Sequence, residues 1–275
     1  MTGCRGPYLP TYIAPKRRVS HATRQVPREG HMEKYTPVMS FDEHVAEVYD
    51  GLAQRGDEMA TVAFLERLAS GGPVLELAIG TGRIALPLSA RGIRVDGIDF
   101  SPAMVAKLRA KPGGDQIAVT MGNFADLAVP GTYRLIYVVF NTLFNLLTQA
   151  EQVRCFENAA AHLTDDGSFV VEGAVPADWY RLRNNQYVDL EAVEVGSVRL
   201  DVARYDPVTQ ILEETHVLLS STGIQLNPIV TRYAWPSELD LMARIAGLRL
   251  KERWAGWSRE PFTTTSSNCV SVYGR

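Results

Sequence analysis

Cysteine is scarce in this chain: three residues in 275, Cys4, Cys155 and Cys269. The count is odd and no two lie close in sequence, so no disulfide framework is expected and a reducing compartment fits. There is no CxxC pair, and the five histidines are scattered, so no metal site is expected. Long apolar runs are missing as well. None approaches the roughly 18 residues that a membrane-spanning helix needs. The basic residues near the N-terminus are not followed by an apolar core, so no secretory signal is expected. Positive charge is not in excess: the formal net charge is −3, and only Lys16-Arg17-Arg18 cluster. That excludes the concentrated basic footprint of a nucleic-acid binder. The expectation is a cytoplasmic protein whose partner is a small molecule, with no nucleic acid and no membrane. A monomer or a homodimer is expected.

Proline and irregularity concentrate at one end. Pro7, Pro10, Pro15, Pro27 and Pro37 interrupt residues 1–40, which read as an irregular extension, with Met32 a second candidate start. From Phe41 a periodic pattern begins. Residues 41–56 and 58–69 read as helices, the first with Val45, Val48, Tyr49 and Leu52 on one face. Apolar strands then alternate with helices. Strands are expected at 74–78, 94–98, 117–121, 135–140 and 168–172, and helices at 83–91, from Ser101-Pro102, and at 149–163. Ser101 suits an N-cap and Pro102 the first helical position.

After Pro176 the period changes to short strands near 187–195, 197–205, 211–220 and 229–234. A helix then starts at Pro236-Ser237 and ends at Gly247, and strands at 248–254 and 269–273 close the chain. The expected fold class is α/β: a doubly wound, seven-stranded, mostly parallel sheet with one antiparallel C-terminal strand. Residues 41–176 and 236–275 would form it, and residues 177–235 would be an inserted antiparallel block over the substrate.

The segment with most chemical content is Val74-Leu-Glu76-Leu-Ala78-Ile-Gly80-Thr81-Gly82-Arg83. A strand ends in a glycine turn that opens a helix, which lets backbone N–H groups approach a ligand. Gly80, Gly82 and Ala85 also satisfy a dinucleotide fingerprint, with Asp99 at a suitable distance, so an NAD(P)-dependent oxidoreductase competes. Glu76 argues against it. A charged side chain inside an apolar strand is costly to bury without a partner, and a cofactor carrying an ammonium would supply one. Beyond the glycine turn no tyrosine is followed four residues later by lysine, the pair such an oxidoreductase would use.

Glu76, Ala78, Gly80 and Gly82 resemble motif I of class I S-adenosylmethionine-dependent methyltransferases, E/D-x-G-x-G-x-G, with alanine in place of the first glycine. Val95-Asp-Gly-Ile-Asp99-Phe100-Ser101-Pro102 resembles the family's second motif. The resemblance covers residues 41–275 and is to bacterial small-molecule enzymes. It implies S-adenosylmethionine as cofactor and S-adenosylhomocysteine as product. It implies cofactor contacts from Tyr49, Glu76, Ala78, Gly80, Thr81, Gly82, Arg83, Asp99, Phe100, Ser101, Met104, Asn123, Phe124, Phe140 and Asn141. Among these, Asp99 would accept from the ribose hydroxyls, Asn123 and Phe124 would meet adenine, and Tyr49 would cover the methionine end.

The implied reaction is transfer of a methyl group to an N, O or C nucleophile of a small molecule, a natural-product intermediate with an aromatic amine or indole in range. Tyr49, Asn145 and His216 are the catalytic candidates, and Phe144, Tyr180, Tyr187 and Tyr233 the substrate-binding ones. A non-catalytic protein that retains S-adenosylmethionine binding is the second alternative, and Ala78 keeps it open.

Overall fold

The computed structural model describes residues 41–52, 55–126, 129–177 and 183–275. The extension expected over residues 1–40, and Tyr180 with it, lie outside the described residues.

Five strands build the parallel part of one sheet: β1 (Val74–Leu77), β2 (Val95–Asp99), β3 (Ala118–Met121), β4 (Tyr133–Val138) and β5 (Leu163–Ala174). A closing hairpin of β10 (Arg249–Trp254) and β11 (Asn268–Gly274) completes it. The strand order is β10-β11-β5-β4-β1-β2-β3. β11 runs antiparallel to both of its neighbours, while β1 is parallel to β2 and β4. The order reverses at β1, which lies centrally with β2 on one side and β4 on the other. In open α/β sheets ligands bind at that switch, beyond the carboxyl ends of the strands.

The sheet is central because its strands are apolar on both faces, and β1 is buried at every position. Leu75, Ile136, Val138, Phe169 and Val171 pack to one side with Phe156 and Leu239, which lie in α5 (Gln149–His162) and α6 (Pro236–Ile245). Val74, Leu135, Tyr137 and Val170 pack to the other with Leu65, Leu88 and Leu108. Those come from α2 (Glu58–Ala69), α3 (Ala85–Ser89) and α4 (Pro102–Arg109). Ser101 caps α4 as its sequence position suggests, its hydroxyl accepting from Met104 N at 3.2 Å.

The four strands β6 (Gln186–Glu194), β7 (Ser197–Asp206), β8 (Ile211–Ser220) and β9 (Gly223–Arg232) form a separate antiparallel sheet in hairpin order. It is not a detached module. Ala203, Tyr205, Leu212 and Tyr233 belong to the same buried core as β1, β4 and α5.

Several details differ from expectation, among them the start of β5 at Leu163, five residues before the expected 168. The first helix, α1 (Glu43–Leu52), buries Ala46, and Val48 is 41% exposed rather than on the inner face. β9 begins at Gly223, six residues before the expected 229, and runs through Pro228. It is an edge strand, where a residue without an N–H is tolerated. Phe140 lies beyond the end of β4, in a turn.

Candidate active site

At the carboxyl end of β1 the chain bends sharply. Ala78 has φ +56°, Gly80 φ +56° and Gly82 φ +77°. Gly82 is required twice over. Its φ is left-handed, and a Cβ there would stand 2.3 Å from Leu108 Cδ1, so the close packing of α4 on the turn needs its absence. Alanine at position 78 holds the same left-handed geometry with a Cβ, a strain of about 1–2 kcal/mol.

Two buried carboxylates flank this turn. Glu76, on β1, is 4% exposed and accepts from Tyr137 Oη at 2.8 Å. Burial pushes its carboxyl up to about 8, against the hydrogen bond from Tyr137 and the nearby charge of Arg83. Asp99, ending β2, is 4% exposed. Its two oxygens accept from Gly80 N at 2.7 Å and Ser101 N at 2.8 Å. Burial raises its carboxyl also, opposed by those backbone N–H groups. A carboxylate has about four acceptor sites on its two oxygens, so Asp99 keeps acceptor capacity for a ribose hydroxyl.

α1 lies across this end. Ser101 Oγ donates to Phe41 O at 2.6 Å, and Phe41 packs edge-on to Phe100 and Tyr49 with centroids 6.1 and 6.5 Å apart. Asp50 accepts from Thr81 Oγ1 at 2.5 Å and pairs with Lys111 at 2.5 Å, while Lys111 also donates to Thr81 O at 2.8 Å. These bonds hold the Asp50 carboxyl low although partial burial opposes them. Tyr49 is thereby brought within electrostatic reach of Arg83, Glu76 and Asp99, and burial raises its hydroxyl. Arg83 pairs with Glu58 at 3.2 Å and places its guanidinium 4.3 Å from the Phe140 ring centroid. Met104 Cε would lie 3.4 Å from a Cβ on Gly80.

These residues fit S-adenosylmethionine. Glu76 offers a desolvated carboxylate that gains from an ammonium. Asp99 offers acceptors for a ribose diol. Arg83 brings positive charge beside them, complementary to a carboxylate.

Sequence reasoning missed a further buried acid, Glu172 on β5, 2% exposed. It receives Phe140 N at 2.6 Å, Arg55 Nη1 at 2.7 Å and Asn268 Nδ2 at 3.2 Å. Phe140 and Asn141 are both left-handed, at φ +62° and +60°, and Asn141 Oδ1 accepts from Ala174 N at 2.6 Å. Glu172 therefore fixes a strained bend beyond β4 to the neighbouring strand, and holds Arg55 5.1 Å from the Phe140 ring centroid. The available signal was the one that marked Glu76, an acid in an otherwise apolar strand.

The Phe124 ring is 2% exposed within the core, so it does not stand free to stack on adenine. Asn123 is exposed, and its side chain closes its own turn by accepting from Ala125 N at 2.9 Å. Phe144 and Tyr233 are core residues at 3% and 0% exposure, Phe144 filling the space that a Cβ on Gly173 would take. Asn145 is half-buried in the short helical turn Thr142–Asn145. Tyr187 donates to Glu214 at 2.5 Å, and burial followed by that bond raises its hydroxyl. His216 is exposed on β8 and bonds Asp201 at 2.7 Å. It stands four residues beyond buried Leu212, about 13 Å further out along the strand.

The comparisons agree with this geometry. A methyltransferase-domain family profile matches residues 74–167. The structure of the CcbJ methyltransferase from Streptomyces caelestis is 38% identical, with a TM-score of 0.82 over 87% of this chain and 99% of that one. The cypemycin N-terminal methyltransferase of a Streptomyces species is 26% identical over 245 residues, 86% of this chain and 97% of its own length. A dTDP-3-amino-3,6-dideoxy-α-D-glucopyranose N,N-dimethyltransferase of Streptomyces fradiae is 28% identical over 170 residues, 58% of this chain and 64% of its own.

The chain belongs to the class I S-adenosylmethionine-dependent methyltransferases. It is an enzyme of that class, and its cofactor is S-adenosylmethionine. The oxidoreductase reading of the glycine turn is thereby set aside.

Proposed function

We propose that this enzyme methylates an amine nitrogen of a small natural-product intermediate. The observation that carries the cofactor half of this reading is the pair of buried carboxylates, Glu76 and Asp99, held either side of the glycine turn under Tyr49. The nitrogen half is supported by two relatives, one named an N-terminal methyltransferase and the other an N,N-dimethyltransferase of an amino-sugar nucleotide. When bound, the cofactor supplies an electrophilic methyl group on a sulfonium. The acceptor's lone pair forms the new C–N bond as the C–S bond breaks, leaving a thioether and an N-methylammonium, which gives its proton to water.

The residues act by placement. Glu76 fixes the ammonium, Asp99 the ribose, and Arg83 the carboxylate. Tyr49 covers that end and excludes water. The Phe140–Asn141 bend, held by Glu172, sets the floor on which the acceptor meets the methyl group. Orientation of this kind supplies most of the rate in a transfer between preassembled reactants. The amine must arrive neutral, so the rate rises with pH until the acceptor is deprotonated.

The test is calorimetric titration with S-adenosylhomocysteine, followed by mass spectrometry of a panel of amines, phenols and indoles incubated with S-adenosylmethionine. Micromolar binding with a mass gain of one methyl on amines is expected. Methylation of phenols alone would overturn the nitrogen assignment. Tight binding with no turnover on any acceptor would favour a cofactor-binding protein instead.

A further inference from the structure

Glu76 and Asp99 stand at β1 and β2, and the ends of β4 and β5 form the other side of the same crevice. On that side Arg55 lies between two carboxylates, Glu172 at 2.7 Å and Asp57 at 3.1 Å. The two acids are used differently. Glu172 is 2% exposed and takes three donors, Phe140 N, Arg55 Nη1 and Asn268 Nδ2. The Asp57 side chain is 35% exposed and pairs, among the described residues, only with Arg55.

Asp57 immediately precedes α2, where an aspartate ordinarily caps the helix, yet its side chain makes no capping bond. The first turn is closed through the Asp57 carbonyl instead, which accepts from Thr61 N at 2.9 Å and Thr61 Oγ1 at 3.0 Å. The carboxylate is left over from the helix. A carboxylate has about four acceptor sites, and most of those on Asp57 stay open. Burial raises its carboxyl above the ordinary range, with Arg55 opposing and Glu172 adding to the rise. A partly desolvated acid of this kind gains from a new donor or cation.

Its place is beside the chemistry. Arg83 acts electrostatically on Asp57 and on Tyr49 alike, so Asp57 borders the cofactor turn. Arg55 lies 5.1 Å from the Phe140 ring centroid, which fixes the Asp57–Arg55–Glu172 trio to the bend where β4 ends.

We propose that Asp57 anchors the acceptor's amine: its carboxylate accepts an N–H and turns the nitrogen lone pair toward the methyl group. This rests on the nitrogen reading above and gives it a residue. A neutral amine that donates one N–H to a carboxylate keeps its lone pair for the attack. The N-methylammonium that forms holds the same bond until its proton leaves to water at the exposed edge of Asp57. An oxyanion nucleophile would meet a like charge there, so the same carboxylate selects nitrogen over phenolate oxygen.

The probe is sinefungin, in which a carbon bearing a primary amine replaces the sulfonium and its methyl group. It places an ammonium where the transferred methyl group would stand. Calorimetric titrations with sinefungin and with S-adenosylhomocysteine at pH 7 compare the full wild-type chain with Asp57→Asn and Asp57→Ala. Both variants should bind sinefungin about tenfold or more weakly, the worth of a charge-assisted hydrogen bond. S-adenosylhomocysteine affinity should be unchanged, which also reports that the variants fold. Equal losses for the two ligands would overturn the proposal by making Asp57 a support of α2. Unchanged sinefungin affinity would overturn it by putting the carboxylate out of reach. Either result leaves the nitrogen reading standing, whereas methylation of phenols alone in the acceptor panel would sink both.

Discussion

Glu76 shows how a single residue can trade stability for binding. Burial lifts its carboxyl to about 8, from an ordinary 4.5. An acid with a raised folded pKa keeps a proton that the unfolded chain has already released. The apoprotein therefore loses stability as pH rises from about 4.5 through about 8. Glu76→Gln removes that loss and keeps an acceptor for Tyr137. Urea melts at pH 8.5 should show the variant more stable by about 2–4 kcal/mol. Its S-adenosylhomocysteine affinity should fall at least about tenfold, one opposed charge being worth 1.4 kcal/mol or more. Ala78 is a second case at this scale. Ala78→Gly would relieve its left-handed strain, offset in part by the greater freedom of unfolded glycine. A net gain of about 0.5–1 kcal/mol is expected, read as a higher midpoint in thermal unfolding. The strain was not legible in the sequence, because an alanine in a motif does not announce its φ.

At the scale of elements, the bend after β4 depends on an acid from β5. Glu172→Ala would leave Phe140 N–H without its acceptor, in a turn with two consecutive left-handed residues, and the Arg55 guanidinium with Asp57 at 3.1 Å as its remaining carboxylate partner. A loss of about 2–4 kcal/mol is expected, and Glu172→Gln should recover part of it. Turnover should fall more than S-adenosylhomocysteine affinity, since Glu76 and Asp99 stand on other strands; equal losses would make Glu172 a general support only. β1, β4 and β5 were legible because buried parallel strands are short apolar runs, and α4 because Ser101-Pro102 is a strong start. β9 was half legible: Asn227 and Pro228 look like a turn until it is known that the strand is at an edge. Val48 was misplaced because α1 turns its small residue, Ala46, inward. Glu172 was overlooked because its partners, Arg55 and Asn268, lie 117 and 96 residues away in sequence.

Across the whole molecule, the proposed placement of the cofactor's ammonium beside Glu76 makes binding and protonation one equilibrium. Near neutral pH the raised Glu76 carboxyl is mostly protonated, and an ammonium beside it favours the ionised form. Titrations with S-adenosylhomocysteine at pH 7, repeated in buffers of different ionisation enthalpy, should report release of close to one proton. That release should vanish in Glu76→Gln. The division of the chain into two sheets was legible from the change of period after Pro176. Their shared core, through Tyr205, Leu212 and Tyr233, was not, because burial at a strand's base leaves no mark distinct from an aromatic awaiting a ligand.

The bond from Gly80 N–H to Asp99 crosses from the first strand's turn to the second strand and is made before any ligand arrives. The ordering entropy of the glycine turn is thus settled during folding rather than at the moment of encounter. Binding should show little induced rearrangement there, and the affinity gained from that half of the pocket should be limited by desolvation rather than by search.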